Sequence, residues 1–408
     1  MKIPRTIKIS KCRLCLHKKF LKIHSFGNLF VSNFVKKKDI KNGIKAPLNL
    51  LYCENCSLIQ LSHIAPQEIM YRRFYWYRSG VTKIMQLGLQ NIFKESLNYV
   101  KLEKNDVVLD IGANDGTLLG HYKRKNFKTI GCEPAINLQK LLKKNCDFSI
   151  KNFWSKIELD KVLLKNQLKK PKIITAIGMF YDLEKPNKFI KDAADSLDKD
   201  GIFIAQLMCL KTMMRMNDLG NICHEHIEFY SLKSLKFLFE KNGLEIFRLE
   251  ENDINGGSYR IYCRKFNRGS IKLKNENVQK LMKDFVKRVK INKKVTINFI
   301  NKEIRQGKKI FLYGASTKGN TVLQYYGLNH DKIPFAAERS PEKWGKYTIG
   351  TGIKIISEKM ARNINPDYFF VTPWGFVKEF IERERKWLKK GGSFIVPFPK
   401  FKLIKFNE

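Results

Sequence analysis

Residues 106–134, DVVLDIGANDGTLLGHYKRKNFKTIGCEP, constrain the fold more than any other stretch. An apolar run, Val107 to Ile111, enters Gly112-Ala-Asn-Asp-Gly116 and then a helical segment. Glycine at 112 and 116 lets the backbone turn sharply and come close to a ligand. The next apolar run ends in Glu133. An acid about 20 residues beyond a glycine loop, at the tip of the second strand of a βαβ unit, suits a ribose diol. The loop alone is a weak signal; loop and Glu133 together point to an adenosine-type cofactor.

The alternation continues down the chain. A helix over 135–145 leads to a short strand over 148–153, and a helical stretch (156–168) leads to KIITAIGM. A helix over 187–198 leads to GIFIAQLM. Strand alternating with helix predicts a parallel sheet covered on both faces. Ser231 can cap a helix with Leu232, Leu235, Leu238 and Phe239 on one face, stopped by Asn242-Gly243. LEIFRLEE and GSYRIYCRK then close the sheet as an antiparallel pair. That sum is a class I methyltransferase core and not a dehydrogenase. KIFLYGASTKGN (309–320), with Gly314 and Gly319, starts a second strand–loop–helix unit. Strands at IPFAAE, YFFVT and SFIVPF extend it. Ser316, Thr317 and Lys318 add donors at a helix start that favours phosphate. The expected organisation is α/β: a zinc-binding module (1–70), a methyltransferase core (71–265), then a helical connector and second Rossmann-like, nucleotide-sugar-binding domain (266–408).

The module at the amino end follows from cysteine spacing. Cys12-x-x-Cys15 and Cys53-x-x-Cys56 are separated by residues 16–52. Two residues between thiolates let one turn offer both sulfurs to one ion, and two such turns complete a tetrahedral S₄ shell. A redox CxxC is the alternative, but a second pair argues for closed structural zinc. Cys132, Cys146, Cys209 and Cys263 have no partner spacing and read as small buried apolar residues.

Net charge is +40, with 78 Lys and Arg spread over the whole length. Spread charge reads as solvated surface more than as a nucleic-acid footprint, and it also suits an acidic ligand such as a nucleotide diphosphate. Nucleic acid is not the expected partner. No apolar run reaches 18 residues, and MKIPRTIKIS lacks the apolar segment of a signal peptide. The expectation is a cytoplasmic protein, monomeric or weakly oligomeric, without a membrane partner.

The most reactive-looking stretch is GNICHEHIEFYS (220–231). It follows the fifth predicted strand, which puts it at the carboxyl edge of the sheet, beside the cofactor. In an extended loop His224 and His226 would face one side. Two histidines do not make a zinc site, and no third ligand is near. One positioned histidine suffices for proton transfer; a loop histidine bonded to backbone is the alternative. YRRFYWYRSG (71–80) is equally open between a lid, with Tyr75 and Tyr77 reaching the substrate, and core packing.

Taken in order, CRLC…CENCSLIQL, DIGANDGTLL, ICHEHIEFYSL and NGGSYR, followed by LYGASTKGNTVLQYYGL, PEKWGKYTIGTGIKI and DYFFVTPWG, resemble the sugar C-methyltransferase family over nearly the whole chain. The family's best-known members add a methyl group to carbon 3 of 4-keto deoxysugar nucleotides. The resemblance implies S-adenosylmethionine (SAM) as cofactor, held around Asp110, Gly112, Asn114, Asp115 and Gly116 with Glu133 on the ribose. It implies His226 as general base, with His224 and Glu225 lining the same pocket. It also implies a nucleotide-linked keto sugar as substrate, near Tyr75, Tyr77, Cys223, Tyr230, Ser316 and Lys318. Better-known members have a tyrosine where this chain has Cys223. They have an Asn and a His where it offers Gly178 and Asp182. A rebuilt substrate pocket is therefore expected. The competing reading is a zinc-containing methyltransferase acting on RNA or another small molecule.

Overall fold

The computed structural model describes residues 6–273 and 276–406. Its centre is a seven-stranded sheet of β1 (Val107–Ile111), β2 (Lys128–Cys132), β3 (Phe148–Ile150), β4 (Ile173–Ile177), β5 (Ile202–Met208), β6 (Leu244–Asn252) and β7 (Ser258–Lys265), in the order 6-7-5-4-1-2-3. β1 to β5 run parallel, while β7 pairs antiparallel with β5 and β6. Every residue of β1 and β5 is buried, as helices on both faces require. The chain leaves β1 towards β2 on one side and β4 on the other, so a crevice opens above the carboxyl ends of β1 and β4.

The amino-terminal module is a small antiparallel sheet of Leu21–Phe30, Lys45–Tyr52 and Ile59–Leu61. Its fourth strand comes from elsewhere: Glu228–Phe229, just after the HEH triplet, pairs with Gln60 and Ile59. The carboxyl-terminal domain has an eight-stranded sheet, centred on the parallel strands Tyr368–Val371, Ile310–Tyr313, Phe335–Glu338 and Lys354–Ser357. Its far edge is completed by Phe34–Val35 of the amino-terminal module, which pairs with Tyr347–Thr348. Two-residue strands have too little surface to form alone, so these exchanges exist only because the three parts pack together.

The connector is one helix, Val278–Arg305, capped by the Asn277 side chain on Lys280 N. Val278, Met282, Phe285, Val286, Val289 and Ile300 form its buried stripe, and most of its lysines face outward, Lys293 instead donating to Tyr325 O. Asn292 breaks the apolar stripe for a reason: its Nδ2 donates to the carbonyls of Pro397 and Pro399, at 3.0 and 2.8 Å. Among the described residues, no helix is long and apolar enough to cross a membrane.

Candidate active site and zinc centre

The four cysteines predicted from spacing converge. Cys12 Sγ lies 3.6 Å from Cys56 Sγ, Cys15 Sγ lies 3.5 Å from Cys53 Sγ, and all four sulfurs lie within 4.8 Å of one another. A tetrahedral ion with bonds near 2.3 Å places its sulfurs roughly 3.8 Å apart, so the cluster fits zinc. Each CxxC turn closes by a backbone bond, Leu16 N to Cys12 O and Ser57 N to Cys53 O. Leu16 and Ser57 take the positive φ that such a turn needs. Gln60 Nε2 donates to Cys12 Sγ at 3.2 Å, the bond expected to steady a ligand sulfur. Arg13, inside the first turn, is buried. Its Nη1 donates to Gln60 Oε1 (3.2 Å), Leu61 O (2.9 Å) and Ile227 O (3.5 Å). The zinc turn is thereby bonded to the residue that follows His226.

The glycine loop sits at the tip of β1. Gly112 and Gly116 have φ near +75° and +77°, and a Cβ on Gly112 would come within 2.7 Å of Met179 Cγ. Glu133, at the tip of β2, accepts from Asn114 N (2.9 Å) and Ala135 N (2.8 Å). Burial raises its carboxyl and these two amides oppose that rise. Asp110 does not line the crevice directly: its Oδ1 accepts from Thr175 Oγ1 at 2.6 Å, and burial pushes its carboxyl up to about 7. It braces the loop from below. The side chains of Asn114 and Asp115 are likewise engaged with protein. Asn114 Oδ1 accepts from Ser79 N and its Nδ2 donates to Tyr77 O. Asp115 accepts from Gly80 N and Thr117 Oγ1. These two side chains clamp the 77–80 segment over the loop.

The aromatic stretch is split by alternation. Asn137 holds Tyr75 by both backbone groups. The Tyr75 ring packs with Tyr71 and Tyr77 (5.9 and 6.5 Å between centroids). It lies within electrostatic reach of Asp182, Glu225 and Glu133, between the cofactor acid and the HEH loop. Tyr71 Oη donates to Glu225 O at 2.7 Å. Phe74 and Trp76 turn the other way.

HEH is a tight turn and not an extended loop, with His226 N bonded to Cys223 O. Its histidines therefore diverge, contrary to the shared face expected of i and i+2. His224 Nε2 donates to Ala46 O of the zinc module at 2.9 Å, and burial drops its ring to about 4. It ties the loop down. His226 Nδ1 lies 2.9 Å from Asn221 O. A carbonyl only accepts, so Nδ1 carries the hydrogen and Nε2 keeps its lone pair. Burial first, and the Lys318 charge second, hold this imidazole well below the usual histidine range, so it is neutral at pH 7. Tyr181 packs edge-on to it at 4.4 Å.

Glu225 lies beside Cys223, whose Sγ is 3.4 Å from Oε2, and near Thr317 and Lys318. Asp182 joins this group. Burial and repulsion from Glu225 raise its carboxyl, and its buried Oδ1 has no partner. Gly178, at φ +71°, has open space where a side chain would point. Tyr230 is placed elsewhere: its hydroxyl donates to Glu228 Oε2 at 2.6 Å, in a buried cluster with Arg13. It supports the zinc-module contact and does not face the pocket. Asn221, Tyr71, Tyr181 and Gln206 were not predicted. Gln206, Tyr181, Asn221, Gly178 and Lys318 line one pocket at the ends of β4 and β5. Asn221 joins its parts, its carbonyl on His226 and its Oδ1 accepting from Lys318 Nζ at 2.7 Å.

The carboxyl-terminal domain repeats the cofactor loop with one change. Glu338 accepts from Ala315 N and Ser340 N, as Glu133 does from Asn114 N and Ala135 N. Here Lys343 Nζ also binds the carboxylate at 3.2 Å, and donates to Ala315 O. The position a ribose takes in a Rossmann fold is filled by an ammonium. Ser316 Oγ accepts from Gly319 N as the helix cap, and its O–H stays available as a donor. This loop instead serves as a wall of the first site, through Thr317 and Lys318.

Three family models match in order: a putative zinc binding domain over residues 12–71, a methyltransferase domain over 81–249, and a C-methyltransferase C-terminal domain over 253–399. The C-methyltransferase NovU of Streptomyces niveus is 25% identical over 410 residues, covering 97% of each chain. Among solved structures, magnesium protoporphyrin IX methyltransferase from Synechocystis PCC 6803 with bound SAM is 10% identical, with a TM-score of 0.34 over 47% of this chain and 88% of that one. A SAM-dependent methyltransferase described as putative, from Listeria monocytogenes, is 11% identical, with a TM-score of 0.35 over 44% and 99%.

Proposed function

We propose, from the premise that this chain is a SAM-dependent methyltransferase carrying a zinc-binding domain and a C-methyltransferase C-terminal domain, that it methylates a carbon next to the ketone of a nucleotide-linked keto sugar. One observation carries the reading: a neutral His226, fixed as the Nδ1–H tautomer, presents its Nε2 lone pair at the carboxyl edge of the cofactor-binding sheet.

SAM, when bound, supplies an electrophilic methyl group on a sulfonium; Gly112 and Glu133 would hold its nucleoside. A carbon beside a ketone is weakly acidic, so it becomes a nucleophile only when a base removes its proton as the carbonyl oxygen gathers charge. His226 Nε2 takes that proton. The Asn221 carbonyl keeps the ring oriented and stabilises the imidazolium through Nδ1–H. Bound SAM would supply its methyl group to that carbon, and His226 would carry the proton away. The raised carboxyls of Asp182 and Glu225 suit a protonated donor towards the carbonyl oxygen or a sugar hydroxyl. Tyr71, Tyr75 and Tyr181 keep water from the reacting carbon.

The experiment is turnover of a panel of nucleotide-linked 4-keto-6-deoxyhexoses with SAM, scored by the mass of the product and by its new carbon-bound methyl signal. Methylation of oxygen, or of RNA in place of every sugar, overturns the proposal.

Two further results are expected. Glu133→Gln should weaken SAM binding about 10- to 100-fold, the usual weight of a hydrogen bond to a charged group, in a calorimetric titration; unchanged affinity would place the ribose elsewhere. The pH profile of kcat/KM should stay level as pH falls through 6.5. Because His226 has a depressed pKa, its base form persists until lower pH protonates Nε2. An acid limb at or above 6.5 assigns the base to another group.

A further inference from the structure

The outer face of the aromatic stretch borders a cleft of about 590 Å³ that the catalytic reading leaves unused. It is lined by Asn33, Phe34, Phe74, Trp76, Glu342 and Lys346. All three parts of the chain contribute: the zinc module, the 71–80 stretch and the carboxyl-terminal domain. The Trp76 ring packs against Phe74 at 4.4 Å and Phe34 at 5.1 Å between centroids. Asn33 Oδ1 accepts from Trp76 Nε1 at 2.9 Å and from Phe34 N at 2.8 Å, so the indole is held at a fixed angle. Lys346 Nζ stands 5.8 Å from the Trp76 ring centroid and Lys343 Nζ 5.0 Å from that of Phe34. Phe74 remains 37% exposed.

We propose that this cleft binds the nucleobase and ribose of the nucleotide-linked substrate, with the base stacked on Trp76 and edged by the tilted Phe74 ring, and the diphosphate directed along Lys346 towards the catalytic pocket. A fixed indole face beside a cation fits a base followed by phosphate, because every base offers a π-face and Lys supplies the charge. Glu342 offers a carboxylate to ribose hydroxyls or to a ring N–H. The volume falls in the range of small-molecule sites. The cleft also communicates with the chemistry: Lys343, over Phe34, donates to Ala315 O, and the loop continues directly to Thr317 and Lys318 beside Glu225. Lys343 thus links the Phe34 wall of the cleft to the loop that carries Lys318 into the pocket.

The inference rests on the substrate being nucleotide-linked, and the test separates the two. The probes are dTDP and UDP alone, titrated calorimetrically into the full-length zinc-loaded protein. Wild type should bind at least one. Trp76→Ala should weaken that binding by about 5- to 100-fold, the range of one base–aromatic stack, with Trp76→Phe recovering most of it. Phe74→Ala, at an exposed position, and Lys346→Ala, at a partly exposed one, supply the same readout if Trp76→Ala folds poorly; SAM affinity reports on folding in each. If the nucleotide binds wild type and all variants alike, the cleft is not the subsite, while the substrate reading stands. If the variants lose the nucleotide but wild type turns over no keto sugar nucleotide, the cleft stands as a nucleotide site and the substrate reading falls. If wild type binds neither probe at millimolar concentration, both fall.

Discussion

Replacement of His226 by alanine is expected to lower turnover by about 10²–10⁴-fold, the usual worth of a positioned general base, while zinc content, fold and SAM affinity persist. The side chain is buried against Tyr181 and bonded only through Nδ1 to the Asn221 carbonyl, so its loss removes one hydrogen bond and some packing, and not the backbone of the turn. That turn is held independently, by His224 on Ala46 and by the pairing of Glu228 with Gln60. Proton exchange gives a second readout. In deuterated buffer with the right keto sugar and a SAM analogue lacking the methyl group, wild type should exchange the carbon-bound proton and the variant should not. An alanine variant that methylates near the wild-type rate assigns the base elsewhere, with His224, whose buried Nδ1 has no partner, as the next candidate.

Loss of the metal is expected to be as damaging by another route. Structural zinc sites in small modules contribute about 10–16 kcal/mol of apparent binding free energy, and this module has few strands of its own. Cys53→Ser, or treatment with a strong chelator, should lower the melting temperature and abolish turnover together. The spacing of the cysteines implies an effect on stability alone, because a closed S₄ site has no open position for chemistry. The strand exchange extends it. Arg13, between two of the ligands, donates to Ile227 O, and Gln60 both bonds Cys12 Sγ and pairs with Glu228. A disordered zinc turn releases the segment next to His226. SAM affinity, proposed to rest on Gly112 and Glu133, should change least. A metal-free protein with full stability and turnover contradicts both halves of this account.

What could be read from the sequence is what adjacent residues decide among themselves. Val107–Ile111 is apolar but for Asp110 because both sheet faces are covered. Gly112 and Gly116 announce backbone at positive φ, and two CxxC pairs announce a tetrahedral ion. Ser231 capping the helix Leu232–Lys241 was equally legible, since its hydroxyl bonds Ser234 N within one turn. The candidate site was legible only in part. His226 and Glu133 stood out by type and position, but the direction of Tyr230, either towards the substrate or into the core, was open until its hydroxyl was seen on Glu228. Its alternation along the chain is the same either way, and its partner Glu228 is chosen by Arg13, more than 200 residues upstream.

Sequence by itself determined the module order, the glycine loop and the cysteine quartet, and it singled out His226 as the candidate base. Tertiary structure alone decided that Glu228–Phe229 completes the zinc module's sheet, that Phe34–Val35 completes the carboxyl-terminal one, and that the two HEH histidines part. It alone decided that Lys343 fills the second ribose position and that Lys318 reaches Asn221. The physical reason is the range of the interactions. Turns, caps and hydrophobic periodicity are settled by neighbours in the chain. A two-residue strand, a buried lysine or a histidine tautomer takes its meaning from a partner that arrives only when distant segments pack.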